Sequence, residues 1–494
     1  MSLISRSYGK VRAQLDAMIT ADGLKGTVFR GGAWLGAGSF AEQFIRFGRN
    51  MLLTRILAPE AFGTMAIVLS ATTLIAILAE VGAREALIQN PRGGEDEYVG
   101  AVWWLSAGRA LSIYTVIYVA APFVSRFYGN AELAPLARIA TLSIVFDGVI
   151  SPRAIVAMKQ MKYPRWATIQ NGGGILGVLI TVGLSFFLRD VWALAIGYAS
   201  ENAARCILSY ALCPYRPRFS LNIPALRDLM HFSKGLFGLA LLNLIFTRAD
   251  IFVLAKIFPA SDLGLYSMAV YLVQTPTVFL CAILGQTLLP ALSRIQNDSA
   301  RMNRVLLQAT SATVMLGLPA LVFIGFCGHS LLTLIYGPRY SVVAAALAMG
   351  AAASFLNVLN VQITLMFYAK GLPHLHRRSV AAMALVVAVL VYPLSKGLGI
   401  WAGQLACLIA VVIGYLLQVE RIRKVTGLRL ADYWKTFLIP AAVSLVIAAV
   451  WVTTRSFGAL TRPSSSVIFG ILGCLLAYGL TGIAFFREAR ETTM

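Results

Sequence analysis

The chain has 494 residues, of which 58% are apolar and 13% charged, and its mean hydropathy is +0.75. Soluble domains carry roughly 45–50% and about 25% of these classes, so the composition excludes a disordered chain, a disulfide scaffold and a secreted enzyme, and requires an integral membrane protein. The net charge of +21, from 42 Lys and Arg against 21 Asp and Glu, is explained by basic cytoplasmic loops on an anionic leaflet and implies no nucleic-acid partner.

The first 30 residues form a cytoplasmic N-terminal segment without a signal-peptide apolar run. In it Ile4, Tyr8, Val11, Leu15 and Met18 fall at helical spacing, as in a short helix lying on the membrane surface or a plain solvated tail. A membrane-crossing helix needs about 20 largely apolar residues. Fourteen stretches qualify: 31–54, 62–83, 99–122, 134–152, 167–188, 191–213, 235–255, 264–290, 305–327, 341–368, 379–395, 400–419, 436–454 and 465–486. Strand alternation is absent. The expected fold is an all-α polytopic membrane protein with 14 transmembrane helices.

Charge sets the expected topology. With the N-terminus inside, the outer loops hold Arg55, Arg126, Arg189, Lys256, Arg339, Lys396, Arg455 and Arg462, whereas the cytoplasmic segments hold 28 of the 42 basic residues. Both termini are therefore expected in the cytoplasm.

The chain also echoes itself. Leu53-Thr54-Arg55-Ile56-Leu57 with Gly63 matches Leu254-Ala255-Lys256-Ile257-Phe258 with Gly264; Tyr128-Gly129 recurs as Tyr336-Gly337, and Trp192-Ala193 as Trp401-Ala402. The nearly constant offset lays spans 1–6 over spans 7–12 in the same orientation, a parallel repeat about the membrane normal. The expected organisation is a six-helix lobe at 31–213, a cytoplasmic linker at 214–232, a second six-helix lobe at 233–420 and an additional helix pair with tail at 421–494, with a central cleft between the lobes.

The same boundaries carry a family resemblance. Leu52-Leu53-Thr54-Arg55-Ile56-Leu57-Ala58-Pro59-Glu60-Ala61-Phe62-Gly63, Glu80-Val81-Gly82-Ala83, Gly264-Leu265-Tyr266-Ser267-Met268-Ala269, Leu289-Pro290-Ala291-Leu292-Ser293-Arg294 and the Tyr336-Gly337 loop resemble the signatures of bacterial polysaccharide flippases. These are the Wzx-like members of the multidrug/oligosaccharidyl-lipid/polysaccharide exporter (MOP) superfamily. The resemblance implies a lipid-linked oligosaccharide, typically on undecaprenyl pyrophosphate, moved across the bacterial inner membrane for exopolysaccharide or lipopolysaccharide assembly. It also implies work beside a polysaccharide polymerase and a chain-length regulator, no cofactor, and drive from a proton or Na⁺ gradient. The competing reading is a cation-coupled multidrug exporter of the same fold. A membrane enzyme is disfavoured, because the loops are short and hold no catalytic constellation, and no residues show metal-ligand spacing.

Ionised side chains inside the spans mark the expected transport path, since each is costly in hydrocarbon. Span 1 carries Glu42, Arg46 and Arg49 on one face, span 3 Arg109, span 4 Asp147, span 6 Glu201 and Arg205, and span 7 Arg248 and Asp250. The five arginines are candidate ligands for an anionic head, because guanidinium binds phosphate or carboxylate bidentately. Glu42, Asp147, Glu201 and Asp250 are candidate coupling or charge-pairing groups, and the i,i+4 pairs Glu42–Arg46 and Glu201–Arg205 could simply neutralise each other. Gly172-Gly173-Gly174 reads as a close helix contact, Pro276 and Pro319 as kinks, and His374 and His376 as solvated loop residues.

Overall fold

A computed structural model describes residues 24–78, 87–88, 94–217, 223–456 and 463–491. The N-terminal amphipathic segment, Glu80-Val81-Gly82-Ala83 and the Arg462 loop lie outside the described residues. Among the described residues there are fifteen α-helices and no strand. They are α1 Leu24–Ile56, α2 Pro59–Leu78, α3 Asp96–Tyr128, α4 Leu133–Gly148, α5 Pro152–Lys159, α6 Tyr163–Leu188, α7 Val191–Leu212 and α8 Ile223–Ile257. There follow α9 Ala260–Arg294, α10 Ser299–Ile335, a 3₁₀ turn Pro338–Val343, α11 Ala344–Ala369, α12 Pro373–Leu398, α13 Ala402–Thr426, α14 Leu430–Ser456 and α15 Pro463–Glu491.

Ten of these helices are long and apolar enough to cross a membrane, or eleven if α4 and α5, bent by 53°, count as one. The predicted apolar stretches fall mainly on helices where they are described; 79–83 of the stretch 62–83 lie outside the described residues, and 134–152 crosses the break between α4 and α5. The sequence reading did not anticipate the α4–α5 bend, and α8 begins at Ile223, inside the stretch expected to be linker. Prolines open several helices, at Pro59, Pro152 and Pro373, where a missing N–H costs nothing. Tyr128-Gly129 closes α3 and Tyr336-Gly337 follows the last turn of α10, both with glycine at positive φ (68° and 111°) that other residues adopt only with strain.

The chain forms two compact units. The first comprises Met1–Leu57 and Ala71–Gly238, the second Ala58–Ser70 and Leu239–Met494. In the first unit, α6 and α7 pack antiparallel along a ladder of small residues. A Cβ on Gly173 would strike the Arg205 backbone at 2.9 Å, one on Gly177 would strike Glu201, and one on Gly197 would strike Thr181. Each rung is one helical turn from the next, so the pattern needs small residues at every fourth position.

The second unit is centred on α11. Leu359, Ile363, Met366 and Phe367 are fully buried there against α10 and α13. Helices α14 and α15 seat on α10, where Gly470 lies against Phe323 and Cys327, and Trp451 stacks on Phe326 at 4.9 Å. Pro319 cannot donate within α10, and the Tyr478 hydroxyl donates to the nearby Leu316 carbonyl at 3.1 Å. Elsewhere the surface is apolar: Leu445, Leu475 and Leu476 are largely exposed, as residues facing hydrocarbon should be.

The tightest approach in the second unit is reciprocal. A Cβ on Gly63 would lie 1.9 Å from the Ala260 carbonyl oxygen, and one on Gly264 would lie 1.8 Å from that of Pro59. Gly63 and Gly264 are also the matched glycines of the internal echo. No side chain fits at either position. Replacing Gly63 or Gly264 by Leu should destabilise the detergent-purified protein by about 1–3 kcal/mol through overpacking. The control Gly285→Ala, at a helical glycine with nothing within 4 Å, should leave the thermal midpoint unchanged or raise it. Equal midpoints for all three variants would contradict the close crossing.

Candidate functional site

Four of the predicted intramembrane charges meet in the first unit. Arg46 on α1 donates to Glu42 Oε1 from Nε at 3.1 Å and from Nη2 at 2.8 Å, and Nη2 also pairs with Glu201 of α7. Arg205 Nη2 reaches Glu42 Oε1 at 3.0 Å and Glu201 Oε1 at 2.8 Å, and its Nε donates to the Gln170 carbonyl at 3.3 Å. Two arginines and two carboxylates thus form a closed, mostly buried network whose formal charge is zero.

The glycines of α6 make this network possible. A Cβ on Gly174 would lie 2.7 Å from Glu42 Oε1, and Gly173 and Gly177 accommodate Arg205 and Glu201. The Gly172–Gly174 run is therefore a close helix contact, and what it admits is charge. The neutralising reading of Glu42–Arg46 and Glu201–Arg205 has this geometry behind it, with an addition: each arginine also bonds the other helix's carboxylate.

The remaining predicted residues of this unit stand differently. Arg49, one turn beyond Arg46, donates from Nε to Asn50 Oδ1 at 3.2 Å. Arg109 is half-buried on α3. Asp147 is exposed at the end of α4, beside the bend, and Tyr198 of α7 lies in the field of Asp147, Glu201 and Arg205.

In the second unit, Arg248 and Asp250 of α8 share a pocket of about 310 Å³. Asp250 is buried, and three donors hold its oxygens: the Tyr266 hydroxyl at 2.6 Å, Gln404 Nε2 at 3.3 Å and the Ile251 N–H at 2.8 Å. Gln404 Nε2 also donates to the Tyr266 hydroxyl at 2.7 Å. Arg248 makes no salt bridge or hydrogen bond to another described residue, although Asp250 lies in its field. The side chains of Gln274, Ser354 and Asn357 complete the polar lining without hydrogen bonds to other described residues. An anion entering this pocket would meet one guanidinium, several uncharged hydrogen-bonding groups and, behind them, the Asp250 carboxylate, whose oxygens are already engaged by three donors.

A scan for charges missed these uncharged partners. Tyr266, Gln274, Asn357 and Gln404 are polar residues inside predicted spans, and that placement was the available signal. His376 was also misread. It sits in the first turn of α12 rather than in a solvated loop, with Nδ1 3.0 Å from the Thr364 hydroxyl and its ring edge-on to Tyr368. Proline at the helix start, not the polar Arg377-Arg378 that follows, governs this segment.

The four-charge network makes a stability prediction. Glu201→Gln alone leaves two arginines facing one carboxylate and should cost about 3–5 kcal/mol, while the double variant Glu201→Gln/Arg205→Gln should recover most of that loss. Thermal unfolding of the purified protein measures both. A double variant no better than the single one would refute mutual neutralisation.

Known proteins supply the remaining context. The chain matches the family described as polysaccharide biosynthesis protein over residues 52–345. It is 27% identical over 349 residues to the succinoglycan biosynthesis transport protein ExoT of Rhizobium meliloti (strain 1021), covering 70% of this chain and 69% of that protein. It is 23% identical to the lipopolysaccharide biosynthesis protein WzxC of Escherichia coli (strain K12), covering 74% and 73%. The teichuronic acid biosynthesis protein TuaB of Bacillus subtilis (strain 168) is 22% identical, covering 85% and 89%.

Among solved structures, the lipid II flippase MurJ in an inward closed conformation superposes with a TM-score of 0.75 at 15% identity, covering 92% of this chain and 99% of that one. An inward-facing multidrug resistance MATE family transporter of the MOP superfamily gives 0.57 at 14%, covering 78% and 96%. The fold is thus that of the MurJ and MATE structures, the helices are those of a multi-pass membrane protein, and the chain belongs to the polysaccharide biosynthesis protein family.

Proposed function

We propose that this protein is a flippase that moves an oligosaccharide repeat unit, linked to undecaprenyl pyrophosphate, from the cytoplasmic to the outer leaflet of the bacterial inner membrane. The observation that carries this reading is Arg248, a guanidinium without an ion pair among the described residues, in the wall of a polar pocket inside a MOP-type transporter. A phosphate or uronate head needs such a group. A cation-coupled multidrug exporter of the same fold would instead need its free charge to be acidic, and Asp250 has its oxygens engaged by three donors.

In this reading the chain crosses the membrane fourteen times, α4 and α5 serving as one bent span, with both termini in the cytoplasm. Lobes 31–213 and 233–420 are repeats of the same orientation, with 421–494 as an appended pair. The matched motifs support this: Pro59–Gly63 opens α2 as Ala260–Gly264 opens α9, and Trp192 and Trp401 both stand at helix starts. Arg49, Arg109 and Arg248 bind the anionic head, whereas Arg46 and Arg205 hold the framework through Glu42 and Glu201. The protein is a transporter rather than an enzyme and uses no cofactor. A proton or Na⁺ gradient drives it, with Asp147 and Asp250 as the coupling carboxylates. A polysaccharide polymerase and a chain-length regulator act on its product.

Polysaccharide export at matched protein levels tests the reading. Arg248→Gln, Arg49→Ala and Arg109→Ala should each lower export by roughly tenfold or more, the loss of a charge-assisted bidentate contact. Arg248→Lys should restore export only in part, because it keeps the charge and loses the planar fork. Normal export in all three would remove the arginines from the site.

A further inference from the structure

The second unit contains another cavity, of about 550 Å³, among α9, α10 and α11. Its walls are almost wholly apolar, with Leu280 and Ile283 from α9, Leu316 and Phe323 from α10, and Phe355 from α11. This is not a core void. Leu280 is 46% exposed, Ile283 43% and Leu316 52%, so the groove opens outward. Its volume lies within the range of about 300–1,000 Å³ typical of ligand sites.

The groove adjoins the polar pocket. Val273, Thr277 and Ser354 line both cavities, which makes one wall of the Arg248 pocket the end wall of the groove. Pro276 lies at this junction in the middle of α9, where the absent N–H breaks the helical ladder. A polar compartment lined by Arg248, which makes no ion pair among the described residues, and by Asp250, whose oxygens are engaged, therefore adjoins an apolar trough, all within a single compact unit.

We propose that the groove of α9, α10 and α11 binds the polyprenyl chain of the lipid-linked substrate while its phosphate occupies the adjoining Arg248 pocket. The inference rests on the flippase reading above and adds to it where the tail goes. Depth argues against an ordinary phospholipid as the occupant. Arg248 stands nine residues, about 14 Å, before the end of α8. A phospholipid keeps its head at the interface, beyond reach of that guanidinium. A lipid whose head enters the protein can satisfy both compartments at once. Apolar burial of the chain then supplies affinity, and Arg248 with Gln274 and Asn357 fixes the position of the head.

The test uses the full chain in nanodiscs of phosphatidylethanolamine and phosphatidylglycerol. The probe is undecaprenyl phosphate with a diazirine in its chain, and phosphatidylglycerol with a diazirine in one acyl chain is the comparison. Photolabelling by the polyprenyl probe should fall on peptides of α9, α10 and α11 and be competed by unlabelled undecaprenyl phosphate but not by phospholipid. Ala312→Trp, at an exposed alanine in the groove, should lower that labelling by roughly tenfold. Arg248→Gln should weaken labelling without moving it. Leu445→Trp, on the exposed face of α14, should leave it unchanged and controls for bulk.

Equal capture of the phospholipid probe in the groove would overturn the proposal. So would undiminished labelling in Ala312→Trp, or saturable labelling confined to α14 and α15. In these three cases the flippase reading survives and only the tail site falls. If the wild-type chain takes up no polyprenyl probe at any position, both fall together.

Discussion

An ionised side chain inside hydrocarbon must be neutralised or given polar company, and this constraint organises both units. In the first, Glu42, Arg46, Glu201 and Arg205 satisfy it by mutual pairing across α1 and α7. The pairing works only because α6 presents glycines there, since any larger residue at Gly173, Gly174 or Gly177 would occupy the space of those side chains. Sequence, packing and electrostatics are therefore one requirement: small residues every fourth position admit charges every fourth position. In the second unit Asp250 meets the same constraint through uncharged donors. Arg248 is the exception: among the described residues it makes no salt bridge or hydrogen bond, and in the proposed reading a ligand supplies its partner.

The two units consequently divide the work. The first holds a charge-neutral network, suited to stiffness more than to recognition. The second, in the proposed reading, combines a polar pocket with an apolar groove, as an amphipathic substrate requires. Its close backbone crossing at Gly63 and Gly264 lies apart from both cavities, since neither glycine lines them. Alterations in the crossing should therefore change stability first and recognition second.

Much of the fold was legible in the sequence, for a physical reason. Membrane thickness imposes blocks of about 20 apolar residues, and proline, glycine and tryptophan punctuate their ends, so the predicted stretches coincide largely with helices where they are described. The α4–α5 bend was not legible, because Ser151-Pro152 falls at the very end of the stretch 134–152, where a helix stop and a bend look alike in sequence. Within the site, spacing predicted the i,i+4 pairs, because helical geometry is local. The crossed pairs Arg46–Glu201 and Arg205–Glu42 depend on how α1 meets α7 and leave no sequence periodicity. Tyr266 and Gln404 were overlooked for a related reason: uncharged polar residues carry a weak hydropathy signal, although in a buried network they are the ones that hold Asp250.

The most direct test of the central claim is a leaflet-exchange measurement on the purified protein. Proteoliposomes would carry a fluorescent oligosaccharide on undecaprenyl pyrophosphate, with a membrane-impermeant quencher reporting the fraction in the outer leaflet under an imposed proton or Na⁺ gradient. The account predicts gradient-dependent exchange of this lipid and its loss in Arg248→Gln, with phospholipid exchange unaffected. Exchange at the rate of protein-free liposomes, or equal exchange of phospholipid, would contradict it.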